Sequence, residues 1–364
     1  MKKVFLYAYD RQNLGDDLFI HTITRRYPDV QFYIWSCKKN RQTFAGLPNL
    51  KVIDQDSAWV RFLRKLRPSF VPGYKAWLEN RCDAVVYIGG SIFYEYLHGE
   101  GIPVWWEYMS ETHPMYVLGA NFGPYRTEDY RKQMGTVFEK MQDICFRDRY
   151  SAHLFSEVTT VRYAPDILFS YTIPRVSQKA GQLFVSVIDC AKKAEGDNSL
   201  AEFKENYISN MAMLLHSYLA AGWHIIFAAF CEAEGDLRAI REICEAMGVS
   251  DTNDRVDILI YDGSNSEQML AELAASEYVI ASRFHAAILA LTAGRPVFPI
   301  IYSNKTARVL EDISFPGNWT DLRNAEQISF EYSLRNREIA FDTADLEISA
   351  QEHFAVLDER LDHS

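Results

Sequence analysis

Two residues capable of chemistry stand two apart in Ile280-Ala281-Ser282-Arg283-Phe284-His285, where an apolar run reads as the end of a strand and the next residues as the start of a helix. A guanidinium there, backed by the partial positive charge of a helix N-terminus, matches a carboxylate or phosphate with two hydrogen bonds. The imidazole of His285 would supply an acid of near-neutral pKa beside it. The plainer alternative has Ser282 capping the helix, Arg283 in solvent and His285 as a satisfied, partly buried ring. Cys145-Phe146-Arg147-Asp148-Arg149-Tyr150-Ser151 repeats the placement after a strand expected over 143–146 and before a helix beginning near Ser151, unless Arg147 and Asp148 are only a surface ion pair. Lys305, in Tyr302-Ser303-Asn304-Lys305, follows the last expected strand. Three cations after three strands make a better case for an anion site than any one of them.

Ile88-Gly89-Gly90-Ser91 and Asn121-Phe122-Gly123-Pro124 end strands with glycines, which permit either a tight turn or close approach of backbone to a ligand. Trp105, Trp106 and Tyr108 lie near Glu95, His98 and Glu107, a set that would stack on sugar rings and bond their hydroxyls, or else pack into a core. No Walker A loop, GxGxxG fingerprint or HExxH pair occurs, and the nine histidines lack metal-ligand spacing, so no metal is expected.

These residues need a scaffold that ends strands at one edge. Val4 to Tyr9 reads as a buried strand, and Asn13-Leu14-Gly15-Asp16-Asp17 turns it into a helix with an acidic first turn. Strands are expected at Gln31 to Ser36, Ala84 to Gly89 and Met115 to Gly119. A polar stretch from Tyr171 to Gly181 reads as a linker. A second cycle then runs through strands near residues 183–188, 223–229, 257–261, 278–281 and 296–301, with helices at 199–220, 238–247, 266–275 and 285–293. Alternation of this kind predicts parallel sheets in an α/β chain of two halves facing across a cleft, with ligands at the carboxyl ends of the strands. The expected domains are residues 1–172 and 182–314, followed by a tail over 315–364 with a helix at 346–361.

The chain has 364 residues, 48% of them hydrophobic, which favours two domains or one large α/β unit and argues against disorder. Its net charge of −11 argues against a nucleic-acid partner. Six cysteines without a CxxC pair suit reduced thiols and a cytoplasmic location. The apolar run after Lys2 and Lys3 is too short for a signal segment, and no stretch is long enough to span a membrane. Against this acidic background, Arg61 to Arg81 carries six basic residues and one acid, interleaved with Phe62, Leu63, Leu66, Phe70, Val71 and Trp77. That reads either as a peripheral contact with the inner face of the cytoplasmic membrane or as a solvated basic face around a linker containing Pro68 and Pro72.

The ordered set Asn13-Leu14-Gly15-Asp16, Ile88-Gly89-Gly90-Ser91, Gly119 to Pro124, Arg147-Asp148-Arg149-Tyr150-Ser151, Ala164-Pro165-Asp166, Ser282-Arg283-Phe284-His285 and Tyr302-Ser303-Asn304-Lys305 resembles the polysaccharide pyruvyl transferase family. The resemblance runs from about residue 4 to about residue 306. Phe284 stands where the family usually has Leu, and Ser91 where a third Gly is common.

The resemblance implies two Rossmann-like domains of the GT-B type that move the pyruvyl group of phosphoenolpyruvate onto a sugar as a ketal, with no cofactor. Residues 1–172 would take the acceptor and 182–314 the donor. Arg147, Arg283, His285, Lys305 and Ser282 would hold the donor, with His285 protonating its methylene carbon and Asp16, ahead of Glu95, relieving the attacking hydroxyl. Asn13, Asp16, Gly90, Ser91, Glu95, Trp105 and Trp106 would face a saccharide, free or carried on a polyprenyl diphosphate during exopolysaccharide or capsule assembly. A GT-B glycosyltransferase using a nucleotide sugar is the alternative enzyme, and a non-catalytic carbohydrate or lipid-carrier binding protein the alternative class.

Overall fold

Val4, Phe5 and Leu6 are buried, as an interior parallel strand requires, and form the centre of β1 (Lys3–Tyr7). The computed structural model describes residues 1–95, 102–193, 198–249 and 253–362, so that His98 lies outside the described residues. The chain forms two units: Met1–Asp10 with Asp16–Ile167 and Ile348–Ser364, and Arg11–Gly15 with Leu168–Glu347.

In the first unit, β1 is joined by β2 (Gln31–Ser36), β3 (Leu50–Asp54), β4 (Ala84–Ile88), β5 (Ser91–Phe93), β6 (Met115–Phe122), β7 (Asp143–Phe146) and β8 (Val161–Tyr163). The order is β3-β2-β1-β4-β6-β7-β8, with β5 on β6, and the pairings are parallel. Phe122 meets Phe155 at 4.7 Å between ring centroids, and Phe138 lies 4.8 Å from Phe155 and 5.0 Å from Phe93. This packed aromatic cluster fixes the carboxyl ends of β6 and β7, the edge from which Asn121 and Arg147 project.

The second unit contains β9 (Lys179–Ser186), β10 (His224–Ala229), β11 (Val256–Ile260), β12 (Ser276–Ala281), β13 (Val297–Ile301) and β14 (Thr320–Asp321). These parallel strands run in the order β11-β10-β9-β12-β13-β14. The order departs in opposite directions from β9 and β12, as it does from β1 and β4. The residues after those strands therefore line the crevice where such sheets bind ligands.

The stretch expected as a linker, Tyr171 to Gly181, lies within the second unit, whose main segment begins at Leu168, and its last residues belong to β9, where Lys179 pairs with Ser276 of β12. The tail is not one piece. Residues 315–347 stay with the second unit, where the Asn336 amide donates to the carbonyls of Val297 (2.7 Å) and Asn318 (2.6 Å). Residues 348–364 belong to the first unit, where Arg26 and the Tyr27 hydroxyl bond Asp358 (3.0 and 2.7 Å) and His353 meets the Pro165 carbonyl at 2.9 Å. The single terminal helix is instead a helix over Ala344–Ala350, a 3₁₀ turn over Gln351–Phe354 and a helix over Ala355–Leu361. The turn carries His353 and Phe354 inward, both fully buried.

The basic stretch is not a linker. It forms helices over Ala58–Leu66 and Phe70–Glu79, the first capped by the Ser57 hydroxyl, which accepts from the Val60 N–H at 3.3 Å. Pro72 falls in the first turn of the second helix, where a missing N–H removes no helical hydrogen bond.

Candidate functional site

The second unit gathers a charged cluster just past the ends of β9, β10, β12 and β13. Ser282, directly after β12, does not cap the next helix: its N–H donates to the Ser186 carbonyl (2.9 Å) and its hydroxyl shares a 2.7 Å hydrogen bond with Tyr207. Arg283 occupies the cap position of the helix Phe284–Thr292. It is not in solvent, being only 6% exposed. Its Nε donates to Asp236 Oδ2 at 3.0 Å, one Nη pairs with Asp236 and the other with Glu234.

Those two carboxylates follow β10. Asp236 also accepts the N–H groups of Phe230 (2.9 Å) and Cys231 (3.0 Å), which fixes it at the start of the helix Asp236–Ala246. Gly235 separates the pair with φ of +86°, a left-handed turn that glycine adopts without strain. Glu234 is also bound by Lys193. Lys193 is positioned by Asp189, which follows β9 and accepts the N–H groups of Ala191 (2.9 Å) and Lys192 (3.2 Å) at the start of the short helix Cys190–Lys193.

Burial alone would lower the Arg283 pKa, but the Asp236 and Glu234 carboxylates overturn that and raise it well above its ordinary value. Burial opposes ionisation of Glu234, yet Arg283 and Lys193 hold its carboxyl well below the usual range. Tyr302, after β13, reports the balance. Burial pushes its phenol up, and Lys193, Lys305 and Arg283 bring it below its ordinary value. At the Tyr302 hydroxyl these three cations outweigh burial and Glu234, which favours a negative charge there.

His285 is half-buried in the first turn of the helix that Arg283 caps. The segment Arg11–Gly15, part of this unit, passes against it: the Leu14 N–H donates to the Phe230 carbonyl at 3.0 Å, and a Cβ on Gly15 would overlap the His285 ring. Asn13 is buried and its side-chain oxygen accepts the Gly15 N–H at 3.2 Å, capping the turn. Asp16 follows in the chain, half-buried on the helix Leu14–Arg26.

In the first unit, Arg147 leaves the end of β7 and is 3% exposed. Its Nη atoms donate to Asp166 (3.1 Å) and to the Asn121 carboxamide oxygen (3.0 Å), which also accepts the Ser91 hydroxyl at 3.2 Å. A Cβ on Gly90 would overlap the guanidinium, so the close approach this glycine allows is to Arg147. Asp148 is not the surface partner of Arg147. It is buried and caps the helix Arg149–His153, accepting the Ser151 N–H (2.8 Å) and hydroxyl (2.7 Å).

Two expected saccharide contacts are structural. Trp106 is 3% exposed and packs against Phe93 at 4.7 Å, because its side of the helix Ile102–Thr112 faces the aromatic core. Glu95 accepts the N–H groups of Arg126 (2.5 Å) and Thr127 (2.8 Å) and the Thr127 hydroxyl (2.7 Å), fastening the loop before the helix Glu128–Glu139. Trp105 is half-buried, edge-on to Tyr7 at 5.2 Å. Sequence reasoning missed Lys193, Glu234, Asp236, Asp189 and Tyr207. The signal for the acids was the rule already used for the cations, position just after a strand.

A family model described as polysaccharide pyruvyl transferase matches residues 13–304. Over 261 residues the chain is 21% identical to the amylovoran biosynthesis protein AmsJ of Erwinia amylovora, a match covering 66% of this chain and 62% of that protein. Among solved structures it is similar to the UDP-GlcNAc 2-epimerase of Methanocaldococcus jannaschii, with a TM-score of 0.60 at 11% identity over 99% of this chain and 100% of that one. It is also similar to Anabaena Alr3699/HepE in complex with UDP-glucose, with a TM-score of 0.55 at 11% identity over 100% of this chain and 98% of that one. At such identities the likeness establishes the fold, the GT-B type built of two Rossmann-like units.

Proposed function

The chain belongs to the polysaccharide pyruvyl transferase family, and from that premise we propose that it transfers the pyruvyl group of phosphoenolpyruvate to a saccharide of a surface polysaccharide or its precursor, as a ketal. The observation that carries the reading is the pair of cations on Glu234, Arg283 and Lys193, with the Lys193 ammonium 5.9 Å from the Tyr302 ring centroid, His285 on the helix that Arg283 caps and Lys305 on the helix after β13. Phosphoenolpyruvate presents a carboxylate and a phosphate, and converging cations in a partly desolvated crevice suit both. Similarity to a protein named for amylovoran biosynthesis supports an exopolysaccharide as the product class.

His285, as imidazolium, gives its proton to the methylene carbon of the donor, which becomes a methyl group and leaves an oxocarbenium-like centre at C2. One sugar hydroxyl forms a bond to C2 and loses its proton to a carboxylate. A second hydroxyl then bonds C2 as the C2–O bond to phosphate breaks, and the phosphate leaves with the second proton. Asp16, an acid in the first turn of the helix Leu14–Arg26, is the proposed carboxylate. Ser282, tied to Tyr207, holds the backbone ahead of Arg283. Arg147, with Asn121 and Ser91 beside it, is proposed to engage a substrate anion.

The test is thermal stabilisation by phosphoenolpyruvate against UDP-glucose, followed by phosphate release on adding saccharide. Phosphoenolpyruvate is expected to stabilise wild type and His285→Asn but not Lys305→Ala, and His285→Asn to release no phosphate. Stabilisation by UDP-glucose alone would replace this reading with the glycosyltransferase one.

A further inference from the structure

The helices Ala58–Leu66 and Phe70–Glu79 pack against each other and place large apolar side chains in solvent. On the first, Trp59 is 55% exposed, Phe62 50% and Leu66 59%, while Val60 is buried on the other side. Positions i, i+3 and i+7 fall on one stripe of a helix, so this is a second apolar face pointing away from the core. The Trp59 and Phe62 rings stack at 5.8 Å. The second helix repeats the arrangement with Phe70 and Trp77, seven residues apart and exposed, the latter stacked on Tyr74 at 5.9 Å.

Cations surround the stripes. Arg61, Arg64, Lys65, Arg67 and Arg81 are exposed, and among the described residues none of them forms a salt bridge. The single acid of the segment is turned inward: Glu79 is buried, accepting the Tyr7 hydroxyl and pairing with Lys75, whose ammonium lies 4.3 Å from the Tyr7 ring centroid. The outer surface is therefore apolar and cationic on a chain of net charge −11.

We propose that this helical pair docks on the surface of an anionic lipid bilayer, with Trp59, Phe62, Leu66, Phe70 and Trp77 entering the headgroup boundary and the five cations meeting lipid phosphates. Charge complementarity selects this occupant. Aromatic and Leu side chains flanked by Arg and Lys are what an interfacial helix needs, and the acidic remainder of the chain is repelled by the same bilayer, which orients the molecule on it. A two-fold contact between copies would bring the two cationic surfaces together and is disfavoured. Among the described residues no helix is long and apolar enough to cross a membrane. The inference does not depend on the chemistry proposed above.

The experiment is co-sedimentation of the whole chain with phosphatidylcholine vesicles, with and without phosphatidylglycerol. Binding is expected only with phosphatidylglycerol, to be abolished near 1 M salt, where the Debye length is about 3 Å. Arg64→Glu with Lys65→Glu should weaken it by at least about tenfold. Trp59→Ser with Phe62→Ser should weaken it comparably, with melting temperatures unchanged because all four side chains are exposed. Failure to sediment with phosphatidylglycerol vesicles at low salt would overturn the proposal, as would binding that the charge reversal leaves intact. A dimer in analytical ultracentrifugation that the Phe62 variant dissolves, without vesicle binding, would assign the surface to a second copy instead.

Discussion

Gly15 lies against His285 so closely that a single Cβ at position 15 would overlap the Cβ, Cγ and Nδ1 of the histidine. The contact involves the root of the side chain, so rotation of the ring cannot relieve it. The turn after β1 and the helix after β12 thus fix one another, and the imidazole is held by backbone.

Gly15→Ala should therefore act on turnover. Displacing His285 by about 1 Å is expected to lower kcat roughly 100-fold while phosphoenolpyruvate still stabilises the protein, because the cations of the cluster stay in place. Phosphate-release kinetics with parallel melting curves will check this, and unchanged kcat would remove His285 from the reaction.

Arg283 is an internal ion-pair partner first. Arg283→Ala leaves Asp236, which is 0% exposed, as an uncompensated buried charge, at a cost of about 3–5 kcal/mol. Replacing both residues with apolar ones of similar volume should restore most of that stability but no phosphoenolpyruvate binding. Urea titration of the three variants will measure the coupling.

Glu234 sits between Arg283 and Lys193 as a carboxylate of the protein's own. Glu234→Gln removes a negative charge from between the two cations. It should tighten phosphoenolpyruvate binding by roughly tenfold, about 1.4 kcal/mol, in calorimetric titration. Weaker binding would mean that Glu234 serves to hold the cations in position.

Two buried histidines make the first unit acid-sensitive. Burial brings His353 from 6.5 down to about 3 and, with Arg25 assisting, His21 down to about 4. Both are neutral in the fold, while the unfolded chain takes up their protons below pH 6.5. Stability is therefore complete above pH 6.5 and falls as pH drops toward 4, by up to about 1.4 kcal/mol per pH unit for each histidine. His353→Gln, which keeps a donor for the Pro165 carbonyl, should flatten that slope by one histidine's share in denaturation measured across pH 4–7.

The elements were legible because their causes are local. The strands Gln31–Ser36 and Asp143–Phe146 and the helix Ser266–Ala275 have the limits that periodicity and flanking polar residues suggest. The family was legible for the same reason, since its motifs are short runs at strand ends within residues 13–304. Capping was less so. Ser282 looked like a helix cap and is bound to Tyr207, and Asp148 looked like an ion-pair partner and is a cap.

The sequence by itself determined two α/β units, the strand ends at which Arg147, Arg283, His285 and Lys305 stand, and the family to which the chain belongs. Only the tertiary structure decided what those residues touch. Arg283 meets Asp236 across 47 residues of sequence, Arg147 meets Asn121 across 26, and residues 348–364 return to the first unit through His353 and Asp358. Helix and strand formation depend on spacings of two to four residues, which a sequence displays. The partner of a buried charge is chosen by which chain ends the sheets bring to one edge, and burial enforces that choice, because an unpaired charge there would cost more than the fold can supply.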